Sequence, residues 1–176
     1  MADLGGGLPR RTLILGGMRS GKSRYAERLV LQSGAEPVYL ATAEALDDEM
    51  ADRIARHRRR RDARFRVVEE PLALAAALER ECAPGRAVLV DCLTLWLTNL
   101  MVQTRPVETD IERLLVCLPG LPGAVVLVSN EVGQGVVPAN AMARAFVDHA
   151  GALHQRIAEE VDAVVFMTAG IPQRLK

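Results

Sequence analysis

Residues 16–23 read Gly16-Gly17-Met18-Arg19-Ser20-Gly21-Lys22-Ser23. Few stretches of eight residues restrict a fold as strongly. The pattern G-x-x-x-x-G-K-[ST] forms a phosphate-binding loop when a strand precedes it and a helix follows. Both flanks fit here. Thr12-Leu13-Ile14-Leu15 reads as a short buried strand, and Ser23 to Gln32 reads as a helix. Glycines at 16 and 21 give the loop backbone angles that a side chain would forbid, so successive N–H groups can turn inward toward phosphate oxygens. The helix N-terminus adds about half a positive charge at the same place. Lys22 can reach the β- and γ-phosphates, and the Ser23 hydroxyl can ligate Mg²⁺. A glycine-rich turn without a ligand is the plainer alternative, and it leaves the strand and helix on either side unexplained.

The length of 176 residues suits one domain with one substantial core. We expect residues 1–11 to form a loose, Gly-rich N-terminus and not a signal peptide, and residues 12–176 to form a single nucleotide-binding domain. Lys+Arg and Asp+Glu both number 22, so the net charge is zero, which argues against a general nucleic-acid-binding surface. Cys82, Cys92 and Cys117 are odd in number and form no C-x-x-C pair. They read as reduced core thiols of a cytoplasmic protein. The longest apolar stretch, Leu93 to Val102, is too short to span a bilayer.

Short β-branched runs alternate with helical stretches along the rest of the chain. Strands are expected at Val38–Ala41, Phe65–Glu69, Ala87–Asp91, Ala124–Ser129 and Ala163–Thr168, with a weak edge strand after Gly170. Helices are expected at Asp47–Arg60, Leu72–Glu81, Leu93–Met101, Glu108–Leu118 and Ala139–Val161. Such alternation predicts an α/β fold, a mostly parallel sheet flanked by helices in three layers. Ligands then bind at the carboxyl ends of the strands.

Three groups beyond the loop carry chemistry. Asp91 ends an apolar strand, the position from which a carboxylate holds Mg²⁺ directly or through water. It could instead cap the helix that follows. Glu131 follows another buried strand, in Asn130-Glu131-Val132-Gly133-Gln134-Gly135. It suits a general base, a metal ligand or a hydrogen bond to its own loop. The run Arg56-His57-Arg58-Arg59-Arg60-Arg61 suits a solvated face or a nucleotide triphosphate held by forked, charge-assisted hydrogen bonds. Like charge around His57 disfavours its imidazolium, which leaves a neutral, nucleophilic ring, although an ordinary surface histidine fits the pattern as well. His149 and His154 lie five apart on a helix, with no cysteine at metal-ligand spacing, so no structural zinc is expected.

The chain resembles the bifunctional adenosylcobinamide kinase / adenosylcobinamide-phosphate guanylyltransferase family. The resemblance runs from about Leu13 to the C-terminus. It rests on residues 16–23, Tyr39-Leu40-Ala41-Thr42-Ala43, Asp47-Asp48-Glu49-Met50, Arg53-Ile54-Ala55-Arg56-His57-Arg58, and Asn130 to Pro138, in that order and spacing. It implies a RecA-like P-loop fold and two reactions, with ATP and GTP as substrates and Mg²⁺ as cofactor. A nucleoside triphosphate would phosphorylate the aminopropanol arm of a corrinoid. GTP would then donate GMP to that phosphate through a guanylylated histidine aligned with His57. Nucleotide contacts would fall on Gly16 to Ser23, Ala41, Thr42, Ala43, Arg58, Arg59, Arg60, Arg61, Glu69 and Asp91. The resemblance also implies a homo-oligomer, a trimer in at least one member. Two departures stand out: some members have adjacent histidines at the positions of Arg56 and His57, and some have Glu at the position of Asp91.

Overall fold

The computed structural model describes residues 7–45 and 47–176, the side chain of Arg53 apart. The expected strands and helices follow one another in order. They are β1 (Arg11–Gly16), α1 (Lys22–Gln32), β2 (Glu36–Ala41), α2 (Asp48–Arg60), β3 (Arg66–Glu69), α3 (Leu74–Glu81), β4 (Arg86–Asp91) and α4 (Leu93–Val102). Then come α5 (Val107–Cys117), β5 (Ala124–Asn130), α6 (Ala141–Glu160), β6 (Ala163–Thr168) and β7 (Ile171–Arg174). The sheet order is β3-β2-β4-β5-β1-β6-β7. All pairings are parallel except that of β6 with β7. The weak edge strand of the sequence reading is therefore real, and it closes the sheet as a short hairpin.

Side chains alternate across the sheet and feed two cores. Leu13, Leu15, Val38, Leu40, Val88, Val90, Val125 and Leu127 face the layer of α3, α4, α5 and α6. Ile14, Tyr39, Leu89, Val126, Val128 and Val165 face the other way, against Tyr25, Ala26 and Val30 of α1. Strands buried on both faces carry near-continuous apolar runs, which is why their periodicity is weak in the sequence. The α2 helix packs differently. None of its described side chains is buried. Its sequence supplies few large apolar residues, and Asp47 caps it by accepting the Met50 N–H at 2.7 Å. No helix among the described residues is long and apolar enough to cross a membrane.

The first strand starts one residue before the expected Thr12, and the part of the expected loose N-terminus at residues 1–6 lies outside the described residues. Leu8 packs against the second core, and β1 begins at Arg11. Arg11 is only 4% exposed. Its guanidinium donates to the carbonyls of Leu118 at 2.6 Å and Gly123 at 2.7 Å, while its N–H donates to Asp162 Oδ2 at 2.7 Å. A charged residue reads as the end of a strand in sequence, but here most of its hydrogen bonds are made by distant turns.

Gly123 lies in that same tight turn. A Cβ there would run into the carbonyl oxygen of Ala83 and lie 2.6 Å from that of Arg86, both backbone atoms. Gly123→Ala is expected to destabilise the fold by about 2 kcal/mol or more, since neither oxygen can swing away. Urea denaturation should show a lower midpoint with an unchanged slope; an unchanged midpoint would contradict this packing.

Candidate active site

The β1–α1 loop sits at the carboxyl edge of the sheet between β5 and β6. Gly16 has φ 156, and a Cβ there would lie 2.7 Å from both the Met167 carbonyl oxygen and Ser20 Oγ. Gly21 has φ 94, and Arg19 holds a left-handed φ of 58 despite its side chain. The α1 helix begins directly after Gly21 with no side-chain cap, so its first N–H groups are open to an anion. Neighbouring loops brace the turn. Ser20 O accepts the Gly170 N–H at 2.9 Å, and Gly16 O accepts the Glu131 N–H at 3.1 Å.

Lys22 is 8% exposed and donates through Nζ to Gly17 O at 3.1 Å. Burial lowers its pKa, opposed by the nearby Cys92 and Asp91. Asp91, at the end of β4, lies on the α1 side of the sheet, two strands from β1. Burial works against its ionisation, but hydrogen bonds from His57, Tyr39 and Ser23 hold its carboxyl below the ordinary range. Ser23 and Asp91 thus already face each other. Two protein oxygens of this kind are what Mg²⁺ takes when phosphates and water complete its shell. Among the described residues no cluster of three or more His, Cys, Asp or Glu could hold a metal ion by itself.

The arginine-rich end of α2 closes over this edge. His57 Nε2 lies 2.9 Å from the Tyr39 hydroxyl and 3.2 Å from Asp91 Oδ2. This corrects the expectation that the neighbouring arginines would keep His57 neutral. The hydrogen bond to Asp91 raises its pKa; burial and Arg61 oppose, and the charges of Asp91 and Glu27 add to the rise. Asp91 wins because its carboxylate meets the ring directly, whereas the neighbouring arginines turn to other partners. Arg58 pairs with Glu69 across the cleft. Arg61 stacks its guanidinium 3.6 Å above the Tyr39 ring.

These groups line one cleft of about 500 Å³. Of the residues expected at the site, it brings together Met18, Arg19, Ser20, Gly21, Lys22, Ser23, Ala41, Ala43, His57, Arg58, Arg60, Arg61, Glu69 and Asp91. Gly16 and Gly17, earlier in the same loop, do not line it. Arg59 is exposed and does not line it. Thr42 is fully buried, and its hydroxyl joins two loops by donating to Cys92 O at 2.7 Å and accepting the Cys92 N–H at 2.8 Å. Glu131 also stays out of the cleft, and its Oε1 accepts the Gly133 N–H of its own loop at 2.6 Å. Ser20 Oγ and Arg61 Nε are buried without a hydrogen-bond partner, although both residues line the cleft. Buried polar groups left so are costly, and a bound polyanion would satisfy them.

Sequence reasoning missed Tyr39, Asn130 and Glu27. Tyr39 and Asn130 line the cleft. Glu27 is half-buried on α1, where burial raises its pKa and the charge of His57 opposes the rise. Tyr39 had a signal: a tyrosine two residues from the ligand end of an apolar strand shares the face of Ala41. Glu27 had none, being one acid in an amphipathic helix. The other two histidines are engaged elsewhere. His154 Nε2 lies 2.7 Å from Ser129 Oγ in the core, and His149 Nδ1 lies 3.1 Å from Glu108. Cys82, Cys92 and Cys117 are all free thiols.

Residues 12–175 match the CobU family, described as cobinamide kinase / cobinamide phosphate guanyltransferase. The chain is 58% identical over 168 residues to the bifunctional adenosylcobalamin biosynthesis protein CobP of Pseudomonas aeruginosa, covering 94% of this chain and 97% of that one. It is 38% identical to the bifunctional adenosylcobalamin biosynthesis protein CobU of Salmonella typhimurium, covering 93% of this chain and 98% of that one. Among solved structures, the flagellar accessory protein FlaH of Methanocaldococcus jannaschii superposes with a TM-score of 0.57 at 12% identity, covering 98% of this chain and 81% of that one. An ATPase from the type III secretion system of pathogenic bacteria superposes with a TM-score of 0.52 at 13% identity, covering 90% of this chain and 51% of that one. These structural likenesses bear out the mostly parallel P-loop fold.

Proposed function

Because the chain belongs to the cobinamide kinase / cobinamide phosphate guanyltransferase family, we propose that this single cleft runs both reactions and that His57 is the nucleophile of the second. The protein is a bifunctional transferase of adenosylcobalamin biosynthesis. The observation that carries the mechanistic reading is the place of His57. Its ring stands 3.2 Å from the Asp91 carboxylate, which lines the same cleft as Lys22 and Ser23 of the phosphate loop.

In the first reaction the β1–α1 loop, the open N-terminus of α1 and Lys22 hold the polyphosphate of a nucleoside triphosphate such as ATP. The hydroxyl oxygen of the corrinoid's aminopropanol arm bonds to the γ-phosphorus as its proton passes to water, and the bond from that phosphorus to the bridging oxygen breaks, releasing the nucleoside diphosphate. Catalysis of this kind is positioning and charge compensation. Ser23 and Asp91 would hold a magnesium ion, which when bound neutralises phosphate charge.

In the second reaction a ring nitrogen of His57 uses its lone pair to bond the α-phosphorus of GTP. The bond to the bridging oxygen breaks and pyrophosphate leaves, its charge met by Lys22 and by Arg58, Arg60 and Arg61. Asp91 and Tyr39 hold a proton on Nε2, so the attacking nitrogen is Nδ1, which must be free of its own proton before it attacks. A phosphate oxygen of cobinamide phosphate then takes GMP from His57 and restores the free ring. Glu131, tied to its own loop, has no part in this scheme.

A two-stage mechanism has a direct kinetic mark. With GTP and Mg²⁺ but no corrinoid, the enzyme should release a burst of pyrophosphate stoichiometric with active chains, then stop. Adding cobinamide phosphate should restart turnover. Normal turnover with no burst would mean that GMP passes straight to the corrinoid.

A further inference from the structure

We propose that Tyr39 is a positioning residue for guanylyl transfer, its hydroxyl fixing the His57 ring at the phosphate end of the cleft. The proposal rests on the reading of His57 as nucleophile. It adds a residue that neither the motif nor the arginine run reveals.

Tyr39 is 1% exposed, on a strand inside the sheet. A buried phenol needs a partner, and this one has two. It donates to Asp91 Oδ2 at 2.7 Å and stands 2.9 Å from His57 Nε2. An ionised carboxylate can only accept and a phenol has one hydrogen, so Tyr39 gives its hydrogen to Asp91 and accepts from His57. The hydroxyl oxygen is therefore a fixed stop for the histidine ring.

The stop is rigid because the phenol ring is held on two sides. Phe65 meets it edge-on, with ring centroids 5.6 Å apart, and Arg61 covers it at 3.6 Å. The histidine is not held in that way by its own helix. None of the described side chains of α2 is buried, so helix packing leaves the depth of His57 in the cleft unset. Tyr39 and Asp91 set it. Their roles differ: Asp91 serves the phosphates in both reactions, whereas the Tyr39 hydroxyl, itself bonded to Asp91, adds a contact to His57, the residue that serves one. A small misplacement of a reacting group lowers a rate by about 100-fold.

Tyr39→Phe removes the hydroxyl and keeps the ring with its Phe65 and Arg61 contacts. The test compares rapid-quench formation of the GMP adduct from α-labelled GTP with steady-state cobinamide phosphorylation by ATP. His57→Asn runs beside it as a control. At saturating GTP, adduct formation should slow by about 10- to 100-fold. The KM for GTP should shift far less, and the loss should exceed any loss of kinase turnover by about tenfold or more. An adduct rate equal to that of the unaltered enzyme would overturn the proposal. Equal losses in both reactions would overturn it too, because Tyr39 would then act through Asp91. A full adduct in His57→Asn would instead remove the reading of His57 on which the proposal stands.

Discussion

Lys22→Ala is expected to cut cobinamide phosphorylation by about 100- to 1000-fold at saturating substrates. Lys22 is the first residue of α1, at the uncapped helix end where an anion is favoured, and its buried ammonium is now held by the Gly17 carbonyl. That contact is weak and local, so the side chain is free to exchange it for phosphate oxygens. Alanine keeps the helix and removes the one lysine of the loop. The negative charge that spreads over the transferring phosphoryl group would then lack its point-charge partner. The loss should appear in kcat as well as KM, because that charge is largest in the transition state. Guanylyl transfer should fall as well, since the same loop holds the same polyphosphate. Initial rates with ATP and cobinamide check the first effect. Near-normal phosphorylation by Lys22→Ala would show that the loop does not hold the reacting phosphates.

His57→Ala should separate the two activities in the opposite sense. Guanylyl transfer should drop to background, because no other described histidine lines the cleft. Phosphorylation should fall far less, since it needs a held polyphosphate and a placed hydroxyl. Some effect on it is expected: Asp91 would lose one of the three side-chain hydrogen bonds that hold its carboxyl low. The two rates measured on one preparation check this split. Equal loss of both would mean that His57 serves the cleft as a structural prop. Retained guanylyl transfer would mean that GMP is carried elsewhere.

Much of the fold could be read from local pattern. The phosphate loop carries its own context, strand before and helix after, so β1 and α1 could be placed to within a residue. The buried strands stood out as β-branched runs. Their order could not be read, because β1 lying between β5 and β6 is decided by contacts far apart in sequence. The burial of Arg11 is hidden for the same reason: the Leu118 and Gly123 carbonyls that accept from it lie more than a hundred positions away.

The site was legible where chemistry is local and illegible where it is shared across elements. Asp91 at a strand end and the arginines of α2 each announced a role. The charge state of His57 did not, because like-charged neighbours in sequence gave way to Asp91 and Glu27, which only folding brings near. Glu131 arrives at the ligand edge of the sheet as expected, yet the N–H of Gly133 takes its carboxylate. Tyr39 passed for a core residue, since ring packing and a directed hydroxyl look the same in sequence.

Transfer of GMP through His57 is the step on which the mechanism turns. It is tested most directly by incubating the unaltered enzyme with α-labelled GTP and Mg²⁺, denaturing it in base and mapping the labelled peptide. A phosphoramidate is expected to survive base and to be lost in acid. Label is expected on the peptide that contains His57. Label on the peptides that contain His149 or His154, or no labelled peptide from enzyme that still transfers GMP, would contradict it.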